Sequence, residues 1–271
     1  MNLKLEVLIS SLKKDINSLI SHMNLECDAV VVNQGVHDGS YGLETRDGYK
    51  VRVIESNECG VGKSRNAALD NAEADIVLFS DDDIVYLDGY SNSILKAFEN
   101  CPDADVIMFN VNVCDDRRTY YIDKSIRVHK WSVGRYPTYA AAARLDRIRD
   151  KQIRFSLLFG GGAKYSCGED SLFFMDCLRA GLRIQAVPVT IGTEEPREST
   201  WFLGYDEKFF KDRGVLYVFL YDKLAAFWAL RFVFAKKKLY QNYIKPRTAF
   251  KHMKNGIREG KNLQKEIIGK K

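Results

Sequence analysis

The stretch Ile76-Val77-Leu78-Phe79-Ser80-Asp81-Asp82-Asp83 constrains this chain more than any other. A short apolar run without polar alternation predicts a strand covered on both faces, as in parallel α/β sheets. It ends in three adjacent carboxylates, whose mutual repulsion is costly unless a cation sits among them. Ligands of open α/β sheets bind at the carboxyl ends of strands. Hard carboxylate oxygens there suit Mg²⁺ or Mn²⁺, which take one or two carboxylates and leave their other positions to water and substrate phosphates. The stretch thus points to a metal-bridged diphosphate. Taken alone, it fits a solvated acidic turn capping the next helix equally well.

The surrounding pattern is an alternation. Apolar runs predict further strands over residues 3–10, 28–33, 49–55, 106–113 and 182–191. Between them, helical spacing appears over 12–23, with Leu12, Ile16, Leu19, Ile20 and Met23 on one face. Other predicted helices run from about 66 to 74, over 88–100, and over 171–180 closed by Gly181. Strands alternating with helices imply a parallel sheet wound by right-handed crossovers, a Rossmann-like α/β architecture. Two stretches break the pattern. A polar, Gly-bearing loop runs to about Gly48, and residues 115–153 form a long polar section carrying Tyr120, Tyr121, Trp131, Tyr136 and Tyr139. A section of that length inside a compact domain is usually functional.

Gly60-Val61-Gly62-Lys63-Ser64 resembles a triphosphate loop but is not one, because Asn57 stands where that loop needs its first glycine. Nor does the third glycine of a dinucleotide fingerprint follow. A flexible loop opening a helix remains, with Lys63 and Arg65 near its N-terminus as expected partners of an anion. Gly160-Gly161-Gly162 permits backbone that other residues cannot follow.

Charge divides the 271 residues unevenly. Residues 206–271 hold 17 Lys and Arg against 6 Asp and Glu, leaving 24 against 30 for residues 1–205. We therefore expect a catalytic domain over 1–205 and a helical, basic extension over 206–271 that meets an anionic partner. Within the extension, residues 215–235 are aromatic and apolar, interrupted by Asp222, Lys223 and Arg231, and Lys236-Lys237-Lys238 follows. This reads either as an amphipathic helix in a bilayer interface over anionic headgroups or as a helix packed on the core. No apolar run of about 20 residues is present, and Met1–Val7 lacks the pattern of a secretory leader, so secretion is not expected. Cys27, Cys59, Cys101, Cys114, Cys167 and Cys177 form no Cys-x-x-Cys pair and read as free thiols of a reducing, cytoplasmic compartment.

Five segments in order carry a resemblance. They are Ser56-Asn57 leading to Arg65-Asn66-Ala67-Ala68-Leu69, then Phe79-Ser80-Asp81-Asp82-Asp83, Phe159-Gly160-Gly161-Gly162-Ala163, Gly168-Glu169-Asp170-Ser171-Leu172-Phe173, and Ala180-Gly181-Leu182. Together they resemble a family 2 inverting glycosyltransferase of the glycosyltransferase A fold, of the kind that builds bacterial surface polysaccharides. The resemblance spans roughly residues 3–205. It implies that an Asp-x-Asp element, Asp81 and Asp83, holds Mn²⁺ or Mg²⁺ on the diphosphate of a sugar nucleotide, with Asp82 able to replace either. It also places Ser10, Asn33, Asn57, Lys63 and Arg65 at the nucleotide. Asp170 is implied as the catalytic base, with Glu169 beside it. Inversion requires one carboxylate to take the acceptor hydroxyl's proton while the diphosphate leaves on the other side. Read without the resemblance, Glu169-Asp170 is an acidic first turn of a helix.

Three departures refine the expectation. Many members carry Asp after the second strand where this chain has Asn33-Gln34. Processive members carry Gln-x-x-Arg-Trp where this chain has Glu195-Pro196-Arg197-Glu198-Ser199-Thr200-Trp201, which implies addition of a single sugar to a glycan or lipid-linked acceptor. Some relatives add a His ligand, but none of His22, His37, His129 and His252 falls in place, leaving Glu194 or water. A nucleotidyltransferase acting on sugar phosphates would also gather carboxylates at a strand end, but no convincing triphosphate cradle is present. A nucleic-acid binder would interleave aromatics with its cations, whereas here the aromatics of the extension cluster with aliphatics, so no nucleic-acid partner is expected.

Overall fold

A computed structural model describes residues 3–113, 120–196 and 204–268. Within them, β1 (Leu5–Leu12), β2 (Asp28–Gln34), β3 (Gly39–Glu44), β4 (Lys50–Ser56), β5 (Ile76–Asp81), β6 (Ile84–Tyr86), β7 (Val106–Asn112), β8 (Ile126–Arg127), β9 (Ala141–Arg144) and β10 (Ile184–Glu194) form one sheet. Its order is β3-β4-β2-β1-β5-β9-β7-β10-β6, with β8 on β10. Strands β4, β2, β1 and β5 run parallel, as do β7 and β10, while β3, β6 and β9 are antiparallel to their neighbours. The fold is therefore mixed α/β with a mostly parallel central sheet. Helices α1 (Ile16–His22), α2 (Val61–Asn71), α3 (Tyr90–Asn100), α4 (Leu145–Asp150) and α5 (Glu169–Arg179) connect the strands.

The central strands are buried along their length: Val7, Ile9, Val30, Val31, Ile76, Val77 and Leu78 have essentially no exposed surface. Such burial on both faces is what the unalternating apolar runs predict. Helix α1 starts later than its apolar spacing indicates, because the Asp15 side chain accepts from the amides of Asn17 and Ser18 and sets the first turn there. The loop expected before Gly48 contains β3, an antiparallel edge strand exposed along most of its length.

The long polar section is also more ordered than its composition implies. It carries β9, whose Ala141, Ala142 and Ala143 fill the gap between β5 and β7. Alanine is depleted in strands because it packs little surface. Here its small size suits a strand inserted between two walls of large side chains. Cys114 and the Arg197–Trp201 portion of the motif after β10 lie outside the described residues.

The basic extension is helical: α6 (Glu207–Tyr221), α7 (Ala225–Ala235), α8 (Lys237–Tyr240) and α9 (Pro246–Ile268). The apolar stretch 215–235 is thus two helices broken at Asp222, which has φ 47°, rather than one. Phe210, Val215, Leu216, Val233, Tyr240 and Met253 join the same apolar cluster as Phe155 and Phe173. Glu259 of α9 accepts from the Tyr165 hydroxyl at 2.7 Å and pairs with Lys211 at 2.8 Å. These two partners, with Lys164 at 3.4 Å, hold its carboxyl down at about pKa 2, chiefly through the Lys211 hydrogen bond.

Candidate active site

The parallel register sets Ser10 opposite both Val32 and Asp81, so the carboxyl ends of β1, β2 and β5 finish at one level. Beyond that level the chain turns through Asp82 and Asp83 into β6, and Ile84 pairs with Glu194 at the end of β10. The acidic run therefore lies between two strand ends.

Arg65, one turn into α2, reaches into this level. It is only 5% exposed, and its guanidinium donates to Asp81 Oδ1 at 3.0 Å and to Asp170 Oδ1 at 2.8 Å, with Glu169 Oε1 at 3.5 Å. Phe155 lies under it, 5.4 Å from ring centroid to guanidinium carbon. Burial works against the guanidinium's charge, but Asp81, Asp170 and Glu169 outweigh it and the pKa of Arg65 is raised. Its buried Nε has no hydrogen-bond partner among the described residues.

The two carboxyls at the start of α5 are not equivalent. Asp170 Oδ1 accepts from Arg65 and from the fully buried Thr138 hydroxyl, which leaves Oδ2 free of both bonds. Glu169 is pushed up to about pKa 7 by burial first and by the neighbouring Asp170 second, with Arg65 opposing. Its carboxyl is packed against Gly160: a Cβ there would lie 2.7 Å from the Glu169 carboxyl carbon, and φ at Gly160 is +105°. Only glycine meets both conditions.

Other sequence-derived candidates take supporting places. Asn33 is 2% exposed, and its amide bridges the backbone of Lys14 at 3.0 and 3.1 Å, so it fixes the turn after β1 and has little surface to offer a base. Ser10 accepts from the Ser64 hydroxyl at 2.8 Å and from the Gln34 amide at 3.2 Å. Asn57 binds Asp38 at 2.8 Å through both its backbone and side-chain nitrogens, and Lys63 pairs with Glu58 at 3.2 Å, both on the exposed rim. At the α2 N-terminus, expected to face an anion, the amides of Gly60 and Val61 are already engaged. Gly60 N donates to Gln34 Oε1 at 2.7 Å and Val61 N to Gly161 O at 2.9 Å, while a Cβ at Gly62 would strike the Ser156 carbonyl at 2.4 Å. The triple glycine therefore serves close packing of its loop against this helix end.

The sequence reading noted Tyr139 only among scattered aromatics and missed Thr138. These neighbours point to different acids, Thr138 to Asp170 and Tyr139 to Glu194 Oε2 at 3.1 Å. Burial and then the charge of Glu194 raise the Tyr139 pKa, so it remains a hydrogen donor. The tyrosines of residues 136–139 mark this segment in the sequence, but nothing there distinguishes Thr138.

A metal cage of three or more His, Cys, Asp or Glu does not form among the described residues. Mg²⁺ and Mn²⁺ bound through substrate phosphates need only one or two carboxylates. The hard oxygens of Asp81 and Asp83 at the end of β5 fit that mode. Asp83 is 7% exposed and Asp82 accepts from Leu12 N at 3.3 Å.

Residues 6–165 match the model of Glycosyl transferase family 2. The chain belongs to this family. It is accordingly a glycosyltransferase, which sets aside the nucleotidyltransferase and the nucleic-acid binder. The match ends before α5, so the places of Glu169 and Asp170 come from the geometry above. No curated protein matches the chain in sequence. Among solved structures, residues 1–349 of S. aureus TarS in complex with UDP-GlcNAc are similar, with TM-score 0.60 and 19% identity over 89% of this chain and 74% of that one. The same TarS fragment in complex with UDP gives 0.58 and 18% over the same shares. S. aureus TarS without those bounds gives 0.56 and 19%, over 85% of this chain and 43% of TarS. At this identity the likeness shows that this family 2 member shares the TarS fold.

Proposed function

We propose that this family 2 glycosyltransferase moves one sugar, with inversion, from a nucleoside diphosphate sugar to a hydroxyl of a glycan or lipid-linked saccharide. The setting is synthesis of a surface polysaccharide such as capsule or O-antigen, at the inner face of the cytoplasmic membrane. The observation that carries the reading is the Arg65 bridge. One buried guanidinium binds Asp81, at the strand end suited to a diphosphate, and Asp170, at the start of α5. The two chemical ends of a sugar transfer are thus held at a fixed spacing by a single rigid group. The TarS complexes with UDP-GlcNAc and UDP support a uridine donor.

In the reaction, Asp170 Oδ2 takes the acceptor hydroxyl's proton as the oxygen bonds to the anomeric carbon. The anomeric carbon's bond to the diphosphate breaks with its electron pair, and the nucleoside diphosphate leaves from the opposite face. Thr138 and Arg65 fix Oδ1 and so aim Oδ2. Glu169, which holds its proton well above the usual carboxylate range, limits repulsion beside the base. A divalent cation held by Asp83 and Asp81 supplies, when bound, neutralisation of the charge developing on the diphosphate.

Incubation with Mn²⁺ and a panel of nucleotide sugars, reading nucleoside diphosphate release with and without acceptor, tests the reading. Asp170→Asn, nearly isosteric but unable to accept the proton, is expected to keep donor affinity and to lower kcat by ~10²–10⁴-fold. Near-normal turnover in Asp170→Asn with an inactive Glu169→Gln would transfer the role to Glu169. Activity in both variants would place the base elsewhere.

A further inference from the structure

Large exposed apolar side chains gather on one stretch, residues 224–243. Helix α7 buries Ala225, Ala229 and Val233 and turns Phe227, Leu230 and Phe234 outward, 61%, 43% and 68% exposed. Its other aromatics are not part of this face. Trp228 stacks on Tyr221 at 4.7 Å, and Phe232 lies under Arg213 at 4.5 Å. Trp131, 60% exposed, stacks on Trp228 at 5.5 Å and extends the apolar surface. Lys236, Lys237 and Lys238 follow α7 directly and are exposed, as is Leu239 beyond them.

Such a ridge is larger than scattered surface residues account for, and its surroundings are of one sign. From residue 223 to residue 258 the chain holds ten Lys and Arg and no Asp or Glu. A second copy docked face to face would set these cations against their own images. Eleven residues of helix extend only ~16 Å, about half of a bilayer's hydrocarbon core, and no helix among the described residues is long and apolar enough to cross a membrane. What remains is a helix lying along a negatively charged apolar interface.

We propose that α7 seats the protein on an anionic phospholipid surface, with Phe227, Leu230, Phe234 and Trp131 in the interface and Lys236, Lys237 and Lys238 on the headgroups. This deepens the reading above and rests on its placement of the acceptor at a membrane. Trp131 belongs to the segment that carries Thr138 to Asp170, and a Cβ at Gly134 of the same segment would lie 3.7 Å from the Ser171 hydroxyl. The lipid seat and the base therefore share one piece of chain, which suits an acceptor that is itself lipid-linked.

The test is sedimentation of the full chain with vesicles of phosphatidylcholine alone or mixed with phosphatidylglycerol. The expected result is binding to the mixed vesicles that weakens with salt. The triple variant Lys236→Gln, Lys237→Gln, Lys238→Gln should partition ~10²-fold less, about 5-fold for each lysine. Phe227→Ser with Phe234→Ser should remove binding while circular dichroism and donor calorimetry stay as in the parent. Trp emission should shift to the blue with mixed vesicles, and Trp131→Phe should abolish most of that shift. Equal recovery in both supernatants would overturn the proposal. So would self-association that the Phe variants abolish without any vesicle binding. Vesicle binding by a protein whose Asp170→Asn variant still transfers sugar would leave the seat standing and remove the base assignment.

Discussion

Glu169→Gln should stabilise the protein, and by more as pH rises. The Glu169 carboxyl is held up at about pKa 7, from the ordinary glutamate value of 4.5, by burial and by Asp170. A carboxyl raised in the folded state binds its proton more tightly there than in the unfolded chain. Its contribution is fully present below about pH 4.5 and is lost as pH rises towards 7, levelling off above. A shift of this size corresponds to about 3 kcal/mol between the two plateaus. Between about pH 5 and about pH 8 the wild type should lose about 2 kcal/mol from this group. Gln keeps the shape without the titration, so the stability gap between variant and wild type should widen in its favour by that amount. Denaturant unfolding of both proteins at the two pH values reads the gap, and groups common to both cancel. A gap that is unchanged with pH, or that widens in favour of wild type, would show that Arg65 neutralises Glu169 fully and that the acidic pair is not strained.

The remaining expectations concern positioning and the cation. Thr138→Val should lower kcat by about 10-fold with little change in donor affinity, because it removes a buried hydrogen bond to a charged group, and Thr138→Ser should restore most of the rate. Equal loss in both variants, measured by steady-state kinetics, would mean that Thr138 acts through packing. Asp83→Ala should lose metal-dependent donor affinity and turnover together, read by calorimetry with UDP and Mn²⁺. Unchanged affinity would move the cation site to Asp81 and Asp82.

The sheet was legible because its central strands are buried on both faces, and unalternating runs such as Ile76–Phe79 leave few other solutions. The strands that escaped notice are those whose surroundings, rather than their own residues, make them strands. β3 is an exposed edge with two glycines, and β9 is three alanines stabilised by β5 and β7. The acidic run, Arg65 and the Glu169–Asp170 pair were all visible, and the structure joins them through one guanidinium. Their division of labour was not visible, since it depends on burial of Glu169 and on Thr138, a residue 32 positions away from Asp170 with no local signature. At Asn33 and the α2 N-terminus the sequence shows chemistry that the fold already uses. Their chemistry suits a ligand, but neighbouring backbone and the Gln34 side chain engage part of it.

Charge balance links these features to the cation. Around Arg65 stand Asp81, Asp170 and Glu169, with Asp82 and Asp83 on the adjoining turn. One guanidinium offsets one of the three charges immediately around it and proton retention by Glu169 removes part of another, so the cluster centred on Arg65 keeps a net negative charge. A nucleoside diphosphate adds more. Like charges brought together away from bulk water repel by several kcal/mol unless compensated. Lys63, on the α2 loop, is paired with Glu58 on the rim at 3.2 Å. A divalent ion is the compact remedy, since it offsets two charges and bridges carboxylate to phosphate with hard oxygens on both sides. On this reasoning UDP binds weakly without Mn²⁺ or Mg²⁺, and chelation weakens binding in wild type far more than in Asp83→Ala. Equal UDP affinity with and without the metal in the wild type would mean that cations of the protein itself, not an ion, receive the diphosphate.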